Sequence, residues 1–242
     1  MVALVTGGSR GIGRACALKL AEDGYDVAVN YNSNEAAAAQ VVAEIEKLGR
    51  KAAAYKADTA DLKAVQGMFR DVQKEFGQLD VLVNNAGVVD DAYLLMINEE
   101  SLSRSLEINI KGYFHCAQQA ALKMMSKKHG KIINISSVSS ILAVEGQGVY
   151  AATKGAVNSM TATLAKELAP RGITVNAVAP GFIETEMIDA IPEDKKEAYI
   201  KQIPLGHFGK ARDVAEAVAS MCSSAFDYVT GQVIVLDGGL SL

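Results

Sequence analysis

Short apolar runs rich in β-branched residues alternate along the chain with longer stretches in which apolar positions recur every three or four residues. Ala3 to Thr6 precedes Ile12 to Asp23, and Val27 to Asn30 precedes Asn34 to Leu48. A continuous apolar run suits a strand covered on both faces, and the longer period suits a helix, so the alternation predicts repeated βαβ units. It continues with Lys51 to Lys56 before a helix from Asp61 to Phe76, and Val81 to Val83 before a helical stretch from about Glu99. Ile132 to Ile135 then precedes a helix holding Tyr150, and Ile173 to Val178 and Val233 to Leu236 bring the strands to about seven. The expected fold class is α/β: one doubly wound parallel sheet with helices on both faces, binding ligands outside the carboxyl ends of its strands.

One long interruption runs from Gly181 to about Arg212, where Pro192, Pro204 and the run Glu193-Asp194-Lys195-Lys196-Glu197 break the alternation. Long connections tend to be functional or mobile, so about 182–211 is expected to form a lid over a substrate within a single domain spanning 1–242.

Composition narrows the function. The chain has 242 residues, 50% of them hydrophobic, enough for a sizeable core in one domain. No apolar run approaches the roughly 18 residues of a membrane span. The start of the chain reads as a first strand and not as a secretory signal, so a cytoplasmic protein with no membrane partner is expected. Cys16, Cys116 and Cys222 are isolated and odd in number, which argues against a disulfide framework or a structural zinc. His115 and His129 have no metal-ligand spacing, and no metal is expected. A net charge of −4 without a dense Lys/Arg block disfavours nucleic acid as the main partner.

Thr6-Gly7-Gly8-Ser9-Arg10-Gly11-Ile12-Gly13 falls between the first strand and the first helix. Glycine there permits a tight turn and lets backbone N–H groups approach a pyrophosphate, which the helix N-terminus also favours. The second strand ends Val29-Asn30-Tyr31-Asn32-Ser33 with no carboxylate to bond a ribose 2′-hydroxyl or repel a 2′-phosphate. Arg10 can supply a cation to that phosphate, and Asn32 and Ser33 can donate hydrogen bonds, so NADP(H) is the expected cofactor.

Tyr150 and Lys154 stand four residues apart on an expected helix and leave the same face. Reducing a ketone needs a hydride for carbon and a proton for oxygen. A tyrosine hydroxyl can give the proton if nearby positive charge brings its pKa down from about 10, and Lys154 or an oxidised nicotinamide can supply that charge. Ser137, past the end of the Ile132 to Ile135 strand, could bond the substrate carbonyl, and Asn109 could hold a water near Lys154.

The spacing TGxxxGxG and the set Asn109, Ser137, Tyr150 and Lys154 resemble the short-chain dehydrogenase/reductase family. The resemblance covers essentially the whole chain, through Asn84-Asn85-Ala86-Gly87, Tyr150-Ala151-Ala152-Thr153-Lys154, Pro180-Gly181 and Asp237-Gly238-Gly239. It implies a Rossmann-type fold, with cofactor contacts at Gly7, Ser9, Arg10, Gly11, Ile12, Gly13, Asn32 and Ser33 in the first half. Asp58, Thr59, Asn85, Ala86 and Gly87 would flank the adenine and the nicotinamide ribose, and Tyr150, Lys154, Pro180, Gly181, Ile183 and Thr185 would complete the site. Within the family the chain is most similar to 3-oxoacyl-[acyl-carrier-protein] reductases. That likeness implies an acyl-carrier-protein or CoA thioester as substrate and a homotetramer. It also implies carrier docking near the active-site mouth through two basic residues, here Lys128 and Arg171.

The loop from Val138 to Val149 is bulkier than is usual in those reductases and carries Glu145, while Val88-Val89-Asp90-Asp91 replaces a Thr-Arg-Asp type of sequence. His207 stands where an arginine is frequent. These departures leave fatty acid synthesis and a dedicated polyketide or polyene pathway both open. A dehydrogenase of a free alcohol, sugar or steroid is the alternative, and a non-catalytic cofactor sensor the remote one.

Overall fold

A computed structural model describes residues 1–185 and 193–242. Seven parallel strands form the main sheet: β1 (Val2–Val5), β2 (Asp26–Tyr31), β3 (Ala52–Lys56), β4 (Val81–Asn84), β5 (Gly130–Ile135), β6 (Ile173–Pro180) and, last in the chain, β9 (Val233–Leu236). The order across the sheet is β3-β2-β1-β4-β5-β6-β9. Its central strands are buried along their whole length because helices cover both faces; the edge strand β3 alternates instead between buried and open positions.

The helices are α1 (Gly11–Glu22), α2 (Glu35–Lys47), α3 (Leu62–Phe76), α4 (Glu99–Leu106), α5 (Gly112–Met124), α6 (Gly148–Leu168), α7 (Glu193–Ile200) and α8 (Ala211–Cys222). Local signals start and stop them. Asp61 accepts from the N–H groups of Lys63 and Ala64 at the head of α3, which ends on Gly77 at φ 75°. Leu20, Val41, Ile45 and Val218 share a core on one side of the sheet, and Val65, Phe69, Ala117 and Met124 share the core on the other.

The helical stretch expected from about Glu99 is two helices joined by a turn of π-helix over Glu107–Lys111. In the stretch expected as a lid, β7 (Ile183–Glu184) pairs with β8 (Gly209–Lys210), and Phe182 stacks on Tyr199 at 4.7 Å between ring centres. Residues 186–192 of that stretch lie outside the described residues. The strand order reverses between β1 and β4, which opens a crevice at their carboxyl ends.

Candidate active site

At the end of β1 the chain must turn into α1 within a few residues. Gly7 takes φ 61° and Gly11 φ 53°, a region that side chains resist. A Cβ on Gly13 would collide with the Gly7 carbonyl oxygen and stand 2.5 Å from Asn85 Nδ2, so the loop lies directly on the end of β4. Thr6 Oγ1 accepts from the backbone N–H groups of Asn85 and Ala86 at 2.9 and 3.0 Å. Asn85 Nδ2 donates in return to the Thr6 and Gly7 carbonyls at 2.9 and 3.2 Å. Asn30 secures the loop from β2: its Oδ1 accepts from Gly7 N–H at 3.2 Å and its Nδ2 donates to the Tyr55 and Ala57 carbonyls at 3.2 and 3.0 Å. Motif reading misses Asn30, whose only signal is a carboxamide closing an apolar run in a doubly covered strand.

The residues present fit a dinucleotide. Arg10 places no side-chain cap on α1, whose first turn carries no acid, so its leading N–H groups can receive an anion. A cleft of about 470 Å³ runs between Ser9, Arg10, Gly11, Asn34 and Thr185, opening on the loop and not on Tyr150. Ile12 is part-buried behind the loop, Asn32 and Ser33 are exposed at the end of β2, and the first carboxylate beyond them is Glu35 in α2. Asp58 is exposed and caps its own turn by accepting from Ala60 N–H at 2.9 Å, whereas Thr59 is buried with its carbonyl 3.0 Å from His115 Nδ1. Gly87 lies beside Asn109 and Lys154, and a Cβ there would stand 3.1 Å from Asn109 Oδ1 and 3.8 Å from Lys154 Nζ. Pro180 closes β6, Gly181 N–H donates to the Leu236 carbonyl at 2.9 Å, and Ile183, in β7, is buried.

β5 delivers Ser137 to the same edge of the sheet, where its Oγ accepts from Ser139 N–H at 3.1 Å. Ser139 Oγ donates to Gln147 Oε1 at 2.7 Å, and Gln147 Nε2 donates to Asp91 Oδ2 at 3.1 Å, a chain of bonds from Ser137 to the surface. Tyr150 faces Ser137 from α6, with Lys154 one turn further along that helix. Lys154 is 3% exposed, and its Nζ donates to the Ile135 carbonyl at 2.8 Å and to Tyr113 Oη at 3.0 Å.

Burial lowers the Lys154 pKa to about 7. Burial also pushes Tyr150 up to about 12, with the Ser137 hydroxyl pulling it down and the Asp91 carboxylate pushing it further up. Desolvation is thus the dominant influence on the Tyr150 hydroxyl in the protein alone.

Asn109 sits in the π turn, fully buried. Its Oδ1 accepts from Val88 N–H at 2.8 Å, and its Nδ2 donates to the Val88 carbonyl at 2.8 Å and to Thr153 Oγ1 at 3.2 Å. The carboxamide clamps the segment that continues from Gly87.

Lys128 and Arg171 are brought to each other but not to Tyr150. A Cβ on Gly172, next to Arg171, would run into the Lys128 carbonyl. Both basic residues precede their strands, whereas Ser137 follows β5, so the two places lie on opposite edges of the sheet. At about 3.3 Å per residue, six strand residues separate them by roughly 20 Å. Within one copy, then, the basic pair and Ser137 stand at opposite ends of β5.

Among the described residues no group of three or more His, Cys, Asp or Glu could hold a metal, and no helix is long and apolar enough to cross a membrane.

A family model described as Enoyl-(Acyl carrier protein) reductase matches residues 7–241. The 3-oxoacyl-[acyl-carrier-protein] reductase FabG of Staphylococcus aureus is 48% identical over 238 residues, 98% of this chain and 97% of that relative. FabG of Thermotoga maritima is 43% identical, covering 99% and 97%. Among solved structures, a doubly substituted mutant of a Serratia marcescens short-chain dehydrogenase/reductase superposes with a TM-score of 0.94 at 36% identity, over 100% of this chain and 98% of that one. Acetoin dehydrogenase YohF of Salmonella typhimurium gives 0.90 at 34%, over 99% and 95%. With the glycine loop seated on Asn85, and Ser137, Tyr150 and Lys154 gathered at the same edge of the sheet, the chain belongs to the short-chain dehydrogenase/reductase family.

Proposed function

We propose that the protein is an NADPH-dependent reductase that converts 3-oxoacyl thioesters to 3-hydroxyacyl thioesters in fatty acid or polyketide-type synthesis. The observation that carries the reading is the meeting of Ser137, Tyr150 and Lys154 beside the crevice between β1 and β4. When bound, the dinucleotide supplies a hydride for the carbonyl carbon. The Tyr150 hydroxyl gives its proton to the carbonyl oxygen, and the Ser137 hydroxyl donates a hydrogen bond to the same oxygen as charge develops there. Lys154, as an ammonium, lowers the cost of the tyrosinate left behind. Asn109 holds the Val88 segment, and with it Gly87, against the site.

NADPH is preferred because Arg10, Asn32 and Ser33 offer donors to a 2′-phosphate where no carboxylate repels it. The β7–β8 pair and α7 form the base of a lid, and the working location is the cytosol. A homotetramer suits the exposed Phe114 and Leu122 on α5 and the open side of β9 at Val235. In such an assembly Lys128 and Arg171 would receive the acidic carrier for the site of a neighbouring copy.

The likeness to acetoin dehydrogenase favours reduction of a small free ketone as the rival reading. The first experiment follows loss of NADPH and of NADH with acetoacetyl thioesters on carrier protein and on CoA, and with acetoin. Faster turnover of the thioesters with NADPH supports the proposal, and turnover of acetoin alone sinks it. Charge reversal at Lys128 and Arg171 should slow only carrier-bound turnover; equal losses on carrier and CoA substrates would remove the docking role.

A further inference from the structure

Tyr113 is the second residue of α5, just after the π turn, and at 1% exposed is the largest fully buried side chain among the described residues. An apolar residue could fill that space against Val157 and Met160 with no polar group to satisfy. The tyrosine instead sets its hydroxyl in a closed triangle. Tyr113 Oη donates to the Ile135 carbonyl at 2.8 Å, Lys154 Nζ donates to that carbonyl at 2.8 Å, and Lys154 Nζ donates to Tyr113 Oη at 3.0 Å. The ammonium also stands 4.8 Å from the centre of the Tyr113 ring. Because the single Tyr113 proton is spent on Ile135, its lone pairs are what it offers to Lys154.

We propose that Tyr113 is a positioning residue for Lys154: its hydroxyl takes one ammonium proton, the Ile135 carbonyl takes a second, and the third stays available to the ligand side. The proposal rests on the reading of Lys154 as part of the reaction. The groups facing Lys154 are Tyr150 on its own helix, Tyr113 on α5 and the Ile135 carbonyl at the end of β5, with Asn109 and Gly87 beyond them. No carboxylate among the described residues is a cause acting on it, for Asp91 acts on Tyr150, and burial alone drives the Lys154 pKa down to about 7. An acceptor that favours the charged form therefore matters more here than at a solvated lysine.

The test compares the wild type with Tyr113→Phe, which keeps the ring and removes the acceptor, and with Tyr113→Leu. Lys154 is titrated in the cofactor-free protein by NMR of ε-13C-labelled lysine, its resonance assigned by its loss in Lys154→Met. Both substitutions should lower its midpoint by about one pH unit. The fall of kcat for thioester reduction on the alkaline side should move to lower pH by the same amount, with KM for the thioester little changed. An unchanged midpoint in a folded variant overturns the proposal, as does a uniform loss of kcat with no movement of its pH profile. Absence of thioester turnover in the wild type would count against the proposed reaction, while the NMR midpoint would still decide what Tyr113 does to Lys154.

Discussion

Lys154 Nζ lies 5.7 Å from the centre of the Tyr150 ring, one turn further along the same helix. That spacing sets the lysine beside the phenol while its own hydrogen bonds go to Tyr113 and Ile135, and the proposed reaction makes the Tyr150 hydroxyl the proton donor. Tyr150→Phe should lower kcat by about 10²- to 10⁴-fold. NADPH affinity, followed by nucleotide fluorescence, should change little; a variant that keeps most of its turnover would remove Tyr150 from the chemistry.

Lys154 also costs the fold stability. Its folded pKa is lowered to about 7, so between that pH and its ordinary value the unfolded chain binds a proton the native state lacks. The penalty is absent well above pH 10.5, grows as pH falls towards 7 and is full below that. Lys154→Met should therefore raise Tm at pH 6, on the order of 5 °C, and progressively less as the pH is raised, while abolishing activity. Equal effects at pH 6 and pH 10 would contradict a depressed lysine.

A methyl group at Gly13 has nowhere to go between the Gly7 carbonyl and Asn85 Nδ2. Gly13→Ala should cost roughly 1–3 kcal/mol through displacement of the loop. It should also raise KM for NADPH more than KM for the thioester. Calorimetry and initial rates check the two halves separately.

The proposed preference for NADPH assigns cofactor choice to the Arg10 cation in the loop. Arg10→Ala should raise KM for NADPH by about tenfold or more and leave KM for NADH nearly unchanged, as expected for a charge-assisted bond to the 2′-phosphate alone. Equal rises for both nucleotides would mean that Arg10 serves the shape of the loop.

Fold and site were legible in the sequence to different depths. The strands could be read because burial on both faces leaves long apolar runs, as in Ile132 to Ile135, and the loop and the Tyr150–Lys154 pair could be read because their spacing carries the chemistry. Asn30 could not, since its value comes from Gly7, Tyr55 and Ala57, neighbours made by folding. Tyr113 is the same case, a tyrosine in an apolar helix until Ile135 and Lys154 close around it. Lys128 and Arg171 were legible as a basic pair, but only the direction of β5 and β6 shows that they lie across the sheet from Tyr150.

The π turn at Glu107–Lys111 takes one more residue per turn than the α-helices on either side. That surplus residue rotates α4 relative to α5, so a single rod can follow two surfaces at once. Its later half stays docked on the sheet with Tyr113 beneath the lysine, while its earlier half tracks the segment that Asn109 grips at Val88. Deleting one residue there would restore an unbroken helix and swing Asn109 away from Val88 by about 100°. The extra residue thus sets the angular phase between the part of the protein that holds the lysine and the Val88 segment that borders the crevice.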